Sequence, residues 1–203
     1  MYRINYQLSI LKKSFYSNDP SKVARELLGK LFIKKGNQGF ISGKIVETEA
    51  YYGENDPTSR AYKGMNKVSE LMYGDVGKLL VYVVHANHLL NIIAHPPNSV
   101  GAVLIRAIEP VNGIESMKIN RKIDDEFQLC SGPGKLTKAF EINRTYHRLD
   151  ITKKDSEIVV ASKGENNNKE KLEIIESNRI GVKKDLKKKL RFYIKENKFV
   201  SKK

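Results

Sequence analysis

The sequence predicts an α+β fold, a single mixed domain across residues 1–203 in which hairpin-connected strands are combined with a few short helices. Apolar and β-branched runs of strand length recur along the chain, separated by polar or glycine-containing turns. Helix signals are fewer, and the clearest is Asp19 followed by Pro20, a capping residue before a proline that suits the first helical position. The length allows one substantial core.

The first half of the chain divides into elements in order. A helix is predicted from Asp19 to Gly29, with its apolar residues on one face. A strand at residues 31–33, a turn at residues 36–39 and a returning strand from residue 40 form a hairpin. A glycine at residue 53 ends that strand, and a polar surface loop over residues 54–64 leads to a short helix at residues 66–73.

The second half contains a hairpin, more strands and two helices. Two apolar runs, residues 79–84 and 89–94, flank a polar tip at residues 85–88. The other predicted elements are a strand at 102–108, a helix at 114–122, a helix after the glycine-rich turn at 131–136, and strands at 158–160 and 172–175. Residues 163–170 are low in complexity and predict a connection, while the lysine-rich residues 183–194 either follow phosphates or form a solvated face.

The charge of the chain favours a polyanionic partner. A formal net charge of +14 and a pI near 9.7 give a long-range field that attracts nucleic acid, although biased composition is the alternative explanation. No apolar run reaches the roughly 20 residues of a membrane helix, so we expect a cytosolic protein without a membrane partner. A single cysteine, Cys130, excludes an internal disulfide and a cysteine-based metal site.

Two acids lie at the end of the strand that begins near residue 40. Glu47 and Glu49 are two residues apart, which directs them to one face of a strand, the face of Ile45. If that face is the core, both carboxylates are buried and need partners. A solvated edge strand is the alternative. Arg106 is a second anomaly, because its strand is otherwise apolar and a buried guanidinium also needs a partner.

A glycine-rich turn precedes the helix predicted after residue 131. Backbone N–H groups at such a helix start can receive a phosphate, and Lys135 adds a positive charge there. The spacing is not that of a Walker motif. An ordinary helix-start turn explains the same residues equally well.

Several segments together resemble the alkyladenine (3-methyladenine) DNA glycosylase family. They occur in the family's order and span nearly the whole chain, and the Glu-Thr-Glu-Ala-Tyr core is the most specific of them. The segments are residues 23–30 (VARELLGK), 46–53 (VETEAYYG), 104–110 (LIRAIEP), 131–136 (SGPGKL), 179–182 (RIGV) and 190–195 (LRFYIK).

The resemblance implies a curved antiparallel sheet, a protruding β-hairpin that enters the DNA minor groove, and a pocket for one everted base. A damaged base cannot be reached inside the stack, so such an enzyme flips it out and fills the gap with a side chain. Cleavage of the N-glycosidic bond builds positive charge on the sugar, which a carboxylate that activates water also stabilises.

The match also implies roles for individual residues. Glu49 falls at the position of the general base, Arg106 at that of an arginine that holds the water, and the backbone carbonyl of Ile180 at another water contact. We expect Arg106 to keep Glu49 ionised and to lower its pKa. The implied base pocket comprises Tyr51, Tyr82 and Asn91, with Tyr51 stacking on the flipped base and Asn91 contacting the purine edge.

Two positions depart from the family pattern. Arg60 stands where the family usually has a histidine against the base. A guanidinium can stack as well, but it always donates hydrogen bonds, so we expect a different base preference. The family commonly reads Tyr-Gly-Met-Tyr at the hairpin tip, whereas residues 85–88 read His-Ala-Asn-His and the chain is one residue shorter before Asn91. His85 is the candidate intercalator, and ordinary tip residues are the alternative.

The main hypothesis is therefore a monofunctional DNA-3-methyladenine glycosylase that acts on double-stranded DNA containing damaged purines and leaves an abasic site. It implies no metal and no organic cofactor, a monomer, and a cytoplasmic, nucleoid-associated location of the prokaryotic type. The second hypothesis is a non-catalytic protein on the same scaffold that binds lesions or abasic sites in nucleic acid. Arg60 and the altered hairpin favour the second hypothesis, whereas Glu49 and Arg106 favour the first.

Overall fold

The computed structural model describes residues 8–36, 39–163 and 172–202. The described helices are α1 (Lys13–Tyr16), α2 (Pro20–Leu27), α3 (Ile114–Arg121) and α4 (Pro133–Ala139). The strands are β1 (Leu8–Ile10), β2 (Leu31–Gly36), β3 (Gly39–Tyr52), β4 (Leu79–Val84), β5 (Asn87–Ile93), β6 (Gly101–Asn112), β7 (Ile158–Lys163), β8 (Ile174–Ser177) and β9 (Arg191–Ile194). No helix in these ranges is both long and apolar enough to cross a membrane.

The nine strands of the described ranges join one antiparallel sheet, which confirms the α+β prediction. Its order is β1-β7-β2-β3-β6-β5-β4, and β9 pairs with β3 beyond the end of β2 while β8 pairs with β9. Strand β3 is therefore the centre of the sheet, with β6 along one edge and β2 followed by β9 along the other. The stretch that carries Glu47 and Glu49 is bordered by strands on both sides.

Helix α2 covers one face of β3, as its sequence predicts. Asp19 caps it by accepting a hydrogen bond from the Ser21 N–H at 2.8 Å. Its apolar face is fully buried, and the Thr48 hydroxyl donates to the Ala24 carbonyl at 2.8 Å. Because side chains alternate along a strand, the neighbours of Thr48 on β3 point to the opposite face.

Helix α4 packs beside the β4–β5 hairpin. The Thr137 hydroxyl donates to the His88 carbonyl at 2.9 Å. A Cβ atom added to Gly134 would lie 2.8 Å from the side chain of Asn87, so glycine permits this close approach. The glycine-rich turn and the hairpin are thus adjacent in the fold.

Some predicted elements differ in extent. Only Glu70–Tyr73 is helical in the segment predicted as a helix at 66–73, and it forms a single 3₁₀ turn. The strand predicted at 172–175 begins at Ile174. The low-complexity connection at 164–170 lies outside the described residues. The end of the segment 183–194 is neither a phosphate contact nor a solvated face, because Arg191 and Phe192 are buried in β9 against β3.

Candidate active site

Two irregularities in the pairing of β3 with β6 shape the site. Ile45 pairs with Ile108 and Glu47 with Ala107, which leaves Val46 as an extra residue in β3. Thr48 then pairs with Ile105, so Arg106 is an extra residue in β6. Such β-bulges redirect side chains and are common beside functional sites.

Glu49 is buried and held by three donors. Its Oε1 accepts a hydrogen bond from the Ile180 N–H at 2.8 Å. Its Oε2 accepts from the Tyr51 hydroxyl at 2.8 Å and from Arg106 Nη1 at 3.2 Å. The structure therefore brings four predicted site residues together, with Ile180 joined to Glu49 through its amide N–H.

Glu47 is equally buried but more completely bonded. Its Oε1 lies 3.2 Å from Arg106 Nε, 2.7 Å from Arg191 Nε and 3.0 Å from the Ser201 hydroxyl. Its Oε2 accepts from the Ser201 N–H at 2.7 Å. Both acids point inward, so the alternative of a solvated edge strand is wrong, and Glu47 joins the Ser201 segment to the centre of the sheet.

The expected direction of the Glu49 pKa is wrong. Burial is the largest influence and raises the pKa of this carboxyl above its usual value. Arg106, the Ile180 N–H and the Tyr51 hydroxyl oppose that shift without cancelling it, and Glu47 adds to it through like charge. The sequence revealed the arginine but not how completely the strands around Glu49 exclude water.

Arg179, a buried arginine that the sequence analysis missed, packs against the ring of Tyr51. The guanidinium carbon of Arg179 lies 4.6 Å from the centre of the Tyr51 ring. Arg179 makes ion pairs with Asp56 at 2.7 Å and Asp185 at 2.6 Å, and it donates to the Ala50 carbonyl. Since Arg179 precedes Ile180, these contacts also fix the segment that donates to Glu49. The RIGV segment is the only sequence signal for this arginine; Asp185 is six residues away, but Asp56 is 123 residues away in sequence.

Strand pairing places the remaining pocket residues on the same side of the sheet. Glu49 pairs with Leu104, which pairs with Asn91, and directly paired residues share a face. Asn91 is buried and donates to the Leu80 carbonyl at 3.2 Å. Tyr82 lies two residues beyond Leu80 on β4 and therefore points to the same face. Glu49, Tyr51, Asn91 and Tyr82 thus line one surface.

Arg60 contacts this surface from the loop after β3. Its guanidinium carbon lies 5.0 Å from the centre of the Tyr82 ring. Burial is the main cause that raises the pKa of the Tyr51 phenol, and Glu49 and Tyr82 add to that shift. The loop at residues 54–64, predicted to be a polar surface loop, is anchored by Asp56, which is buried and accepts hydrogen bonds from Arg179.

His85 and Lys135 lie outside this cluster. His85 and Ala86 form the two-residue tip of the hairpin, where both have positive φ (46° and 61°) and are exposed. That backbone is typical of a type I′ turn, which confirms the predicted hairpin. Lys135 donates to Gln128 and lies 3.4 Å from the Ser131 hydroxyl, on the helix that packs beside the hairpin.

Comparison with known proteins places the chain among the DNA glycosylases. The family model described as methylpurine-DNA glycosylase (MPG) matches residues 14–198. The chain belongs to this family, which confirms the resemblance seen in the sequence.

Relatives of similar length match almost end to end. A protein of Chlorobium phaeobacteroides is 40% identical over 94% of this chain and 94% of its own length. A protein of Carboxydothermus hydrogenoformans is 40% identical over 96% of this chain and 100% of its own length. A protein of Aeropyrum pernix is 37% identical over 95% of this chain and 93% of its own length. All three carry the name "Putative 3-methyladenine DNA glycosylase".

Proposed function

We propose that the chain is a monofunctional DNA glycosylase that flips alkylated purines, including 3-methyladenine, out of duplex DNA and hydrolyses their N-glycosidic bond. Glu49 activates the attacking water, and the product is an abasic site. Family membership supports DNA as the substrate and methylated purines as the class of base. The site geometry supports the assignment of Glu49.

The observation that carries the proposal is the hydrogen bonding of Glu49. An ionised carboxylate has about four acceptor positions. The described residues supply three donors to Glu49 and four to Glu47. Oε1 of Glu49 has a single donor, the Ile180 N–H, and can accept another hydrogen bond, as a base must. Glu47 has the more structural environment, because it is held by Arg106, Arg191 and both donors of Ser201.

The chemistry follows from this arrangement. Water oxygen bonds to C1′ of the sugar as the bond from C1′ to the purine nitrogen breaks, and the departing base takes that electron pair. Glu49 accepts the proton of the water, and its negative charge stabilises the cationic sugar. Arg106 and the Ile180 carbonyl hold the water in line. A raised pKa suits this role, because a more basic carboxylate is a better proton acceptor.

The residues around Glu49 recognise the base and the helix. Tyr51 stacks on the flipped purine, Asn91 contacts its edge, and Tyr82 with Arg60 forms the facing wall. His85 at the hairpin tip enters the gap left in the stack, and Lys135 contacts a phosphate beside it. The protein acts as a single domain and a monomer, in the cytoplasm and associated with the nucleoid.

A paired substitution tests the proposal. Glu49→Gln keeps the shape of the side chain and removes its charge, so release of 7-methylguanine from methylated duplex DNA should fall by about 100- to 10,000-fold, as expected when a general base is lost. Glu109→Gln is the matched control, since Glu109 lies on the same sheet in a partly exposed ion pair with Lys44. Equal release by the wild type and Glu49→Gln would refute the assignment.

The product and binding distinguish this function from the alternatives. A monofunctional enzyme leaves an uncut abasic strand and gives no adduct with borohydride. A covalent adduct trapped by borohydride would instead indicate a lysine Schiff base. Tight binding to an abasic-site analogue without turnover on any lesion would favour the non-catalytic binding protein.

A further inference from the structure

Arg60 presents a positive charge at the wall of the base pocket. Its guanidinium lies over the Tyr82 ring, and the side chain is exposed. Its backbone is held in place, because Ser59 and Ala61 on either side are buried and the Asn66 side chain donates to the Arg60 carbonyl at 3.0 Å. The loop therefore fixes the backbone of Arg60, and its guanidinium lies beside Tyr82 in the proposed pocket.

Arg60 differs from the two other arginines of the site in its charge balance. Arg106 lies between Glu47 and Glu49, and Arg179 lies between Asp56 and Asp185. In the ranges that the structure describes, Arg60 makes no ion pair. The net charge of the whole chain is +14, so distant residues do not offset it either.

We propose that Arg60 biases the pocket against purines that carry a fixed positive charge and in favour of neutral lesions. This inference rests on the proposed function and names the substrate preference of the same site. A purine methylated at ring nitrogen N3 or N7 is cationic while it is bonded to the sugar. Hypoxanthine and ethenoadenine are neutral at pH 7.

Two physical effects act in the same direction. A cationic base that packs against Tyr82 lies close to the guanidinium, and like charges repel. The ring of Tyr82 is also engaged with Arg60, so its face is less able to attract a second cation. Solvent screens an exposed guanidinium, so the penalty on a cationic base is on the order of 10-fold rather than larger.

The test compares one cationic and one neutral lesion in the same duplex. Single-turnover release of 7-methylguanine and of hypoxanthine is measured for the wild type, Arg60→Gln and Arg60→Lys. Comparing the ratio of the two rates between proteins cancels the intrinsic difference in bond strength between the lesions. Arg60→Gln should raise the ratio of 7-methylguanine to hypoxanthine by about 10-fold, because the charge is lost. Arg60→Lys should leave it within about 2-fold, because the charge remains.

A binding measurement separates recognition from chemistry. Affinities for the same two duplexes, measured in a Glu49→Gln background where bond cleavage is removed, should shift in the same direction. An unchanged ratio in Arg60→Gln, or the same change in Arg60→Lys, would overturn the inference while leaving the proposed function intact. Release of neither base by the wild type would overturn the proposed function itself.

Discussion

Replacing Glu47 and Glu49 separately with glutamine distinguishes a structural acid from a catalytic one. Glu47 accepts hydrogen bonds from Arg106, Arg191 and the Ser201 N–H and hydroxyl, and it is fully buried. Every group bonded to Glu47 is a donor, so in Glu47→Gln the amide nitrogen, itself a donor, is left without an acceptor. Arg191 also loses the carboxylate with which it forms an ion pair. Removal of one partner from a buried ion pair costs about 3–5 kcal/mol. For a chain of this length that corresponds to a fall in Tm of about 10 °C.

Glu49→Gln should have a much smaller effect on stability. The amide oxygen can still accept from the Ile180 N–H, and the Tyr51 hydroxyl can turn to accept from the amide nitrogen. Arg106 Nη1 then faces the amide nitrogen, but the guanidinium keeps its ion pair with Glu47 through Nε. The substitution also removes a charge that burial disfavours. We expect the free energy of unfolding to change by less than about 1 kcal/mol while base release is lost.

Urea unfolding and base release, measured on the same preparations, test both expectations. Glu47→Gln should lose stability yet retain base release per folded molecule well above that of Glu49→Gln. The reasoning is refuted if the two variants are equally destabilised, because the larger number of charged and backbone donors on Glu47 would then not distinguish the acids. It is also refuted if Glu47→Gln is the less active of the two at a temperature where both are folded.

Three further predictions concern neighbouring residues. Tyr51→Phe removes a donor that lowers the pKa of Glu49, so the acid limb of base release should move to higher pH, measured against enzyme-free depurination. Burial tends to raise the pKa of Asp56, but the hydrogen bonds from Arg179 outweigh it and the pKa is lowered. Asp56→Asn should therefore reduce the free energy of unfolding by about 3 kcal/mol at pH 7, measured in urea, and this difference should shrink as the pH falls below about 4. His85→Ala should slow release from duplex DNA more than from single-stranded DNA, and equal slowing would exclude an intercalating role.

The parts of the fold that the sequence predicts are those with local signals. The α2 helix has its cap, its proline and its apolar face within a few residues, and the β4–β5 hairpin has two apolar runs around a polar tip. The 3₁₀ turn at Glu70–Tyr73 is harder to predict, because Asn66 and Ser69 bond to the loop before it. Those side chains stabilise turns where the local pattern favours a helix.

The candidate site is predictable where the family motifs carry its residues, but not in the long-range contacts that hold it together. The resemblance identified Glu49, Arg106 and Ile180, and the structure brings them together. The contacts of Arg179 with Asp56 and Glu47 with Ser201 join residues more than 100 positions apart. No period or spacing in the sequence links such distant residues, so only the folded chain reveals them.

The bulge at Arg106 explains how one guanidinium serves both acids. Glu47 pairs with Ala107, so a regular ladder would pair Thr48 with Arg106 and direct that side chain to the α2 face. The extra residue makes Thr48 pair with Ile105 instead, and Arg106 joins Ala107 on the face of the acids. Its Nε then reaches Glu47 and its Nη1 reaches Glu49. Glu47 therefore fixes the orientation of the guanidinium through Nε, and that orientation directs Nη1 to Glu49.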